Sequence, residues 1–324
     1  MKIRPEIRDI IGKFSLKEPI SVDSVLVNID NDLYFITDDS GKKFVVREAK
    51  RVKEKDCQFE ADLLQVLGDN SFGVSQLIPL KNGLLFAKTN ENLSVFVFEF
   101  IEGKQYEVSD IKLHPKLAYL GGKTLGEMHT IASVHKKEIG ENKKRNTFTE
   151  IDTFLKRDLV KISSISGFTK FCDELSEFKT KAIEWMKFNP DLCGTIHSDY
   201  GPQNVIFGKD NNCHVIDFDW ACYGPFLKDV GQGIALWTQP NNETKWNNKI
   251  SENFIKGYND TAPKTIAFDS SLAFWACFAC LSDACTFFIS FLDGQYPNIT
   301  LTNIEQCHGY KRFKYFLNEL HKLK

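Results

Sequence analysis

His197-Ser198-Asp199-Tyr200-Gly201-Pro202-Gln203-Asn204 runs directly into Val205-Ile206-Phe207, and Val215-Ile216-Asp217-Phe218-Asp219 follows a short polar interval. The stretch reads as a loop feeding a β-hairpin whose ends carry metal-binding side chains. Val205-Ile206-Phe207 and His214-Val215-Ile216 are β-prone runs flanking Lys209-Asp210-Asn211-Asn212, a cluster of turn formers. If that cluster closes a symmetric four-residue loop, Gly208 sits opposite Cys213 and Asn204 opposite Asp217. Opposed residues of an antiparallel ladder have Cα atoms about 4.5–5.5 Å apart, so one Mg2+ with oxygen ligands at about 2.0–2.1 Å could bridge them. Phosphoryl transfer needs a carboxylate aimed at the attacking hydroxyl, and a carboxylate with an amide oxygen to hold Mg2+ against the phosphates. Asp199, Asp217 and Asn204 are candidates for that set. The plainer alternative is a hairpin that begins with Asn and ends with Asp because both favour strand ends and turns.

A chain of 324 residues with 42% hydrophobic and 26% charged residues reads as a globular protein of two lobes. A net charge of −2 gives no general attraction to nucleic acid or to membranes. The basic clusters Lys50-Arg51-Val52-Lys53, Lys143-Lys144-Arg145 and Lys311-Arg312 with Lys314 are short and mixed with acids, so solvated surface is the expectation for each. The first residues, MKIRPEIRDIIGKF, carry charges throughout, so no secretory leader is expected. Leu272 to Leu292 is the most apolar segment. Asp283 near its centre favours a buried helix over a membrane span. Cys277 and Cys280 form a CxxC without a second pair or a His cluster, so buried reduced thiols and a cytoplasmic setting are expected, not a zinc site.

Val25–Val27, Leu33–Ile36 and Phe44–Val46 are separated by turn formers and read as a three-stranded meander. A helix follows from about Lys53 to Leu67, then strands at Leu84–Lys88 and Ser94–Phe100, then Glu102-Gly103 as a hinge. Residues 1–101 are thus expected to form a β-rich lobe with one helix, and 102–324 a larger, mainly helical lobe. In the second lobe a helix is expected over Lys116–Ala132, and more over Thr147–Lys187, broken at Ser163-Ser164 and Ser166-Gly167. Further helices are expected from about Asp229 to the end, with Pro240 to Asn248 as a polar surface loop.

HSDYGPQNVIF, VIDFDWACYGP, FVVR, FEFIEG, Asn31-Asp32-Leu33-Tyr34, Leu125-Gly126-Glu127-Met128-His129 and Lys228-Asp229-Val230-Gly231 together resemble the aminoglycoside phosphotransferase superfamily, whose relatives include choline kinases and type II homoserine kinases. The resemblance implies an α+β, two-lobed protein-kinase-like fold and an ATP-dependent kinase using Mg2+. It assigns Asp199 to the acceptor hydroxyl and Asn204 and Asp217 to the metal. His197 would pack under the loop, and Asp229 would open a helix behind it. Asp219 is expected either near a second metal or the acceptor, or in a hydrogen bond to nearby backbone.

In the first lobe Arg47 ends the third strand, where its fork could grip phosphate oxygens. Glu60 lies at the edge of the apolar stripe of the following helix, placed to reach Arg47 or to be a solvated border residue. Lys42 and Lys43 are alternative cations. Adenine is expected at the hinge, near Phe98, Glu99 and Ile101. No glycine occurs from Ser21 to Ser40, so the turn Asn28–Asp32 would have to cover the phosphates with Asn and Asp.

The expected function is transfer of the γ-phosphate of ATP to a hydroxyl of a small molecule, of aminoglycoside, amino alcohol, homoserine or sugar type, by a monomer or homodimer. A Ser/Thr protein kinase of the bacterial stress-response type and a catalytically silent nucleotide-binding module are the alternatives. Tyr223, Trp237 and Asp283 are candidates to line the acceptor cleft, with core packing the simpler expectation for each.

Overall fold

The computed structural model describes residues 3–27, 31–50, 56–106, 114–209, 212–238 and 248–323. Positions 28–30 of the expected phosphate-covering turn, 51–53 of the first basic cluster and 240–247 of the expected polar loop lie outside the described residues. The chain divides into two compact units. The first comprises Met1–Lys104, His135–Lys144 and Ile206–Trp220, and the second Gln105–Val134, Arg145–Val205 and Ala221–Lys324.

In the first unit, helix α1 (Pro5–Ile11) precedes strands β1 (Ser21–Val27), β2 (Asn31–Thr37) and β3 (Lys43–Ala49), helix α2 (Cys57–Asp69), and strands β4 (Ala87–Lys88) and β5 (Ser94–Glu99). The strands form one antiparallel sheet in the order β1-β2-β3-β5-β4. Side chains alternate between the two faces of a strand. Tyr34, Ile36, Phe44, Val46, Val95 and Val97 therefore share one face, packed against Ile7, Ile10 and Ile11 of α1 and against Phe14. Phe96 joins Cys57 and Ala61 of α2 in a separate cluster. Arg47, one residue beyond Val46, is thereby turned away from the α1 side. The meander and α2 match the expectation, with α2 starting later, where Asp56 Oδ1 accepts the Phe59 N–H at 3.3 Å.

Helix α1 adds to the one helix expected in this lobe. Its sequence carried two signals: Pro5 in the first turn, where its fixed φ suits a helix start, and Ile7, Ile10 and Ile11 at helical spacing.

The second unit contains α3 (Pro115–Val134), α4 (Thr149–Leu155), α5 (Phe168–Phe188), β6 (Cys193–Ile196), β7 (Cys222–Pro225), α6 (Phe226–Thr238), α7 (Asn248–Asn259), α8 (Ser270–Leu292) and α9 (His308–Lys322). The expected breaks between α4 and α5 are present: a single helical turn ends at Ser163, and Gly167 caps α5 with φ 84°. Strands β6 and β7 pair antiparallel, with Ile196 opposite Cys222.

Helices α3 and α7 meet backbone to backbone. A β-carbon on Gly122 would lie 1.9 Å from the Phe254 carbonyl oxygen, and one on Gly257 would lie 1.9 Å from that of Tyr119. Gly231 of α6 lets the backbone of α8 approach closely as well, since its β-carbon would lie 2.6 Å from the Ala276 nitrogen. Helix α8 is long and apolar enough to cross a membrane, yet Trp275, Phe278, Cys280 and Leu281 are fully buried within the unit. All nine cysteines are free thiols.

Several of the basic residues expected on solvated surface are engaged instead, among them Lys50 with Asp32 at 2.5 Å and Lys314 with Glu174 at 3.7 Å. Arg145 is buried against Glu150, and Arg312 pairs with Asp283 at 3.3 Å. Charge runs in sequence do not show which member faces inward.

The α3–α7 contact leaves no room for a methyl group, because the obstructing atoms are backbone. Gly122→Ala and Gly257→Ala are each expected to lower the unfolding free energy by roughly 3 kcal/mol or more in urea titrations. A loss below about 0.5 kcal/mol for either would contradict this packing.

Candidate active site

The loop after β6 in the second unit is held from several sides. Ser198 has a left-handed backbone, φ 67°, which turns the chain sharply between His197 and Asp199. The fully buried carboxylate of Asp229, in the first turn of α6, accepts the His197 N–H at 2.6 Å and the Ser198 N–H at 2.8 Å. Tyr200, fully buried, donates its hydroxyl to the Gly121 carbonyl at 2.7 Å and so ties the loop to α3. Asn204 closes the loop: its amide nitrogen donates to the Asp199 carbonyl at 2.8 Å and to Asp199 Oδ2 at 3.0 Å. The amide oxygen of Asn204 is left as the atom that could face a cation.

His197 is fully buried, and its Nδ1 accepts the Asp199 N–H at 3.3 Å. That contact turns the imidazole toward the loop backbone, a packing geometry.

Asp229 has a further partner that the sequence reading quoted only as part of a motif. His129 Nε2 lies 3.2 Å from Asp229 Oδ2, and His129 Nδ1 lies 2.9 Å from the Tyr258 hydroxyl. Its place on the buried stripe Leu125–Met128–Ala132 of α3 was the available signal. Burial alone would raise the pKa of Asp229. The hydrogen bond and charge of His129, with the charge and backbone amide of His197, outweigh it and hold the carboxyl below its ordinary value of 3.8.

The neighbouring Lys228, 1% exposed, donates to Ser198 Oγ at 2.8 Å. Burial lowers its pKa, against the opposing pull of Cys222 and Asp229. The sequence reading quoted this lysine only as part of the Lys228-Asp229-Val230-Gly231 stretch and gave it no role.

In the first unit the side chains around Arg47 make a second polar cluster. Arg47 Nη2 meets Glu60 Oε2 at 2.6 Å, and Nη1 lies 3.8 Å from Asp217 Oδ1. The guanidinium packs over Phe96 and Phe98, 4.9 and 5.2 Å from their ring centres. Asn31 donates to Asp219 Oδ2 at 3.4 Å. Burial lowers the pKa of Arg47, and the carboxylates of Glu60, Asp219 and Asp217 more than offset this, so its charge is secure. Strand alternation in β3 and helical spacing in α2 are what bring Arg47 and Glu60 together. Lys42 pairs instead with Glu99, and Lys43 is exposed beside Phe100. Asp32 is matched by Lys50 at 2.5 Å.

The donor set fits Mg2+. Three carboxylates surround one guanidinium, which leaves an excess of negative charge, and Asp217 is the exposed member, with 42% of its side chain accessible. Among the described residues no group of three or more His, Cys, Asp or Glu could enclose a metal. Mg2+ usually takes one or two protein oxygens and completes its shell with phosphate and water, so a small set of hard oxygen donors suits it.

The ladder argued from the sequence does not extend to Asp217. Strand pairing ends at Val215, and Gly208 bonds to the Asn212 carbonyl at 2.8 Å, so Asn212 takes the place expected of Cys213. Asp217 then has a left-handed backbone, φ 68°. The Gly208–Asn212 bond and a left-handed residue both break a register counted outward from a symmetric turn, and residues 210 and 211 of that turn lie outside the described residues.

At the hinge, β5 engages Phe98 opposite Val45. The Glu99 N–H donates to the Gln76 carbonyl at 2.9 Å, and its own carbonyl accepts from Ser75 Oγ at 2.5 Å. Trp237 is a core residue, stacked with Tyr200, Tyr223 is half-buried in β7, and Asp283 is held by Gln232 and Arg312.

Comparison with known proteins gives a consistent picture. A family model described as the phosphotransferase enzyme family matches residues 24–262. A homoserine kinase of Neisseria meningitidis serogroup B is 24% identical over 259 residues, covering 80% of this chain and 79% of that protein. An amicoumacin kinase solved with AMP-PNP, Ca2+ and Ami superposes with a TM-score of 0.74 at 14% identity, covering 98% of this chain and 96% of the other. A choline kinase of Cryptosporidium parvum gives 0.66 at 14% identity, covering 94% and 90%. The structural matches establish the shared kinase-like fold.

The depressed pKa of Asp229 has a definite consequence for stability. A carboxyl that ionises more readily folded than unfolded contributes fully above its unfolded pKa, about 3.9, and the contribution is lost as pH falls through the lower folded value. Asp229→Asn is expected to reduce unfolding free energy by about 2–4 kcal/mol at pH about 7. The gap to wild type should narrow below pH about 4 in denaturant titrations. A gap that stays constant down to pH about 3 would overturn the assignment.

Proposed function

The chain belongs to the phosphotransferase enzyme family and is an ATP-dependent kinase acting on a hydroxyl, and we propose that Asp199 orients that hydroxyl for attack on the γ-phosphorus of ATP. An ordinary carboxylate is far too weak a base to deprotonate an alcohol beforehand, so positioning comes first and proton transfer late. The acceptor oxygen forms a bond to the γ-phosphorus as the bond to the β–γ bridging oxygen breaks. ADP leaves, and the acceptor proton passes to Asp199 and then to solvent. The observation that carries this reading is the double hydrogen bond from Asn204 to Asp199, which fixes the carboxylate's direction while leaving the amide oxygen of Asn204 for a cation.

Asn204 and Asp217 would hold Mg2+, which when bound neutralises charge on the phosphates. Arg47, kept charged by Glu60, would bind phosphate oxygens on the side that Asp217 borders. Adenine would be read at Ile101, because the peptide groups of Glu99 are already engaged within the unit. Asp219 would brace Asn31 at the start of β2. The free thiols suit a reducing compartment, and a cytoplasmic setting is part of the same proposal.

For the acceptor, homoserine and choline, the compounds in the names of two of the similar proteins, share a primary hydroxyl close to a cationic nitrogen, the pattern of an amino alcohol. We therefore place a small amino alcohol first. ADP release measured against a panel of amino alcohols, sugars and aminoglycosides tests this, with cell extract as the arm for protein acceptors. Selective turnover of a protein band, or of sugars alone, would overturn it.

Asp199→Asn should lower kcat by at least about 100-fold while the KM for ATP moves by no more than about threefold. Wild-type turnover by that variant on the selected acceptor would sink the role of Asp199. ATP binding without turnover on any acceptor would favour a silent nucleotide-binding module.

A further inference from the structure

Two consecutive residues of α6 grip the same peptide of the catalytic loop by different handles. Asp229 takes the backbone N–H groups of His197 and Ser198, whereas Lys228 takes the Ser198 hydroxyl at 2.8 Å. Ser198 adjoins Asp199 and is held at φ 67°, where a side chain costs roughly 1–2 kcal/mol relative to the ordinary right-handed region. Some interaction must offset that cost for the turn to persist.

Lys228 is an unlikely residue on grounds of stability alone. It is 1% exposed, so its ammonium has lost its water. It lies in the first turn of α6, where the helix dipole disfavours positive charge. Asp229 and Asp283 attract it, Arg145 repels it, and the buried thiol of Cys222 lies in the same group. An apolar side chain of equal length would fill this site at lower free energy, and it could not hold the Ser198 hydroxyl.

We propose that Lys228 is a positioning residue for Asp199, holding the Ser198 hydroxyl so that the left-handed peptide preceding Asp199 keeps the catalytic carboxylate aimed. The proposal rests on the catalytic reading of Asp199. Lys228 is buried and so acts through Ser198, without contact with either substrate.

The test is a set of variants at the two positions. Lys228→Met and Ser198→Ala each remove the link while leaving a side chain on the left-handed residue. Each should lower kcat by about 10- to 100-fold with the KM for ATP nearly unchanged, since a misplaced carboxylate slows chemistry and spares nucleotide binding. The pair combined should be no slower than either alone. Ser198→Gly removes the backbone penalty, because glycine adopts φ > 0 freely, so Lys228→Met in that background should recover most of the lost kcat. Turnover is read as ADP release from Mg·ATP with homoserine, choline and ethanolamine in turn. Multiplicative losses in the Ala/Met pair, wild-type kcat in Lys228→Met, or no recovery with glycine would overturn the proposal.

Hydrogen exchange of the peptide covering residues 197–204 gives a readout independent of turnover. Deuterium uptake there should rise in Lys228→Met and in Ser198→Ala, with thermal midpoints close to wild type. Unchanged uptake in both would overturn the proposal even if no acceptor were turned over. A wild-type protein that releases no ADP with any acceptor counts against the kinase reading, not against the loop geometry. Should Lys228→Met fail to fold, Ser198→Ala, with the lysine retained, carries the same expectation.

Discussion

A carboxylate with no access to water must be fully satisfied, and in the second unit Asp229 meets that demand with the backbone of the loop after β6. Its oxygens take two consecutive amides, and His129 supplies a third contact from α3. Hydrogen bonds to a buried charge are among the stronger ones available, so the peptide entering Asp199 is fixed more firmly than surface loops usually are. Removing any one partner would leave a buried charge uncompensated.

That arrangement depends on how α6 is laid down. Gly231 allows the backbone of α6 to settle on α8 near Ala276, while Gly122 and Gly257 draw α3 and α7 into contact. Tyr258 on α7 then holds His129, which holds Asp229. Close helix packing therefore sets the direction of a carboxylate several side chains away. The first unit achieves a similar result by sheet alternation. Arg47 is buried between aromatic rings and an acidic cluster, since its strand neighbours Phe44 and Val46 claim the other face.

Much of this was legible in the chain itself. Turn formers between short β-prone runs marked the meander, and the alignment of Glu60 with Leu64 and Leu67 at the edge of the apolar stripe put it within reach of Arg47, one of the two readings left open, and the one in which it forms its ion pair. The breaks around Ser163 and Gly167 were equally plain, because serine and glycine favour local backbone bonds and left-handed geometry over helix. Helix α1 could have been found from Pro5 and its isoleucines. Counting outward from the Lys209–Asn212 turn failed, because hairpin register depends on loop closure and on backbone angles that residue type does not dictate. Arg145 and Arg312, read as surface, are paired for a related reason: a charged residue's partner comes from elsewhere in the chain.

By itself, the sequence determined the family and the kinase-like fold, and it singled out Asp199, Asn204 and Asp217 as candidates by local spacing and residue type. Tertiary structure alone decided that Asn204 bonds to Asp199, that Ser198 is left-handed, and that Lys228 and His129 stand behind the 197–204 loop. The physical reason is distance along the chain. His129 and Asp229 are a hundred residues apart, Ser198 and Lys228 thirty, and only packing forced by buried charge and close helix contact brings such pairs within hydrogen-bonding reach.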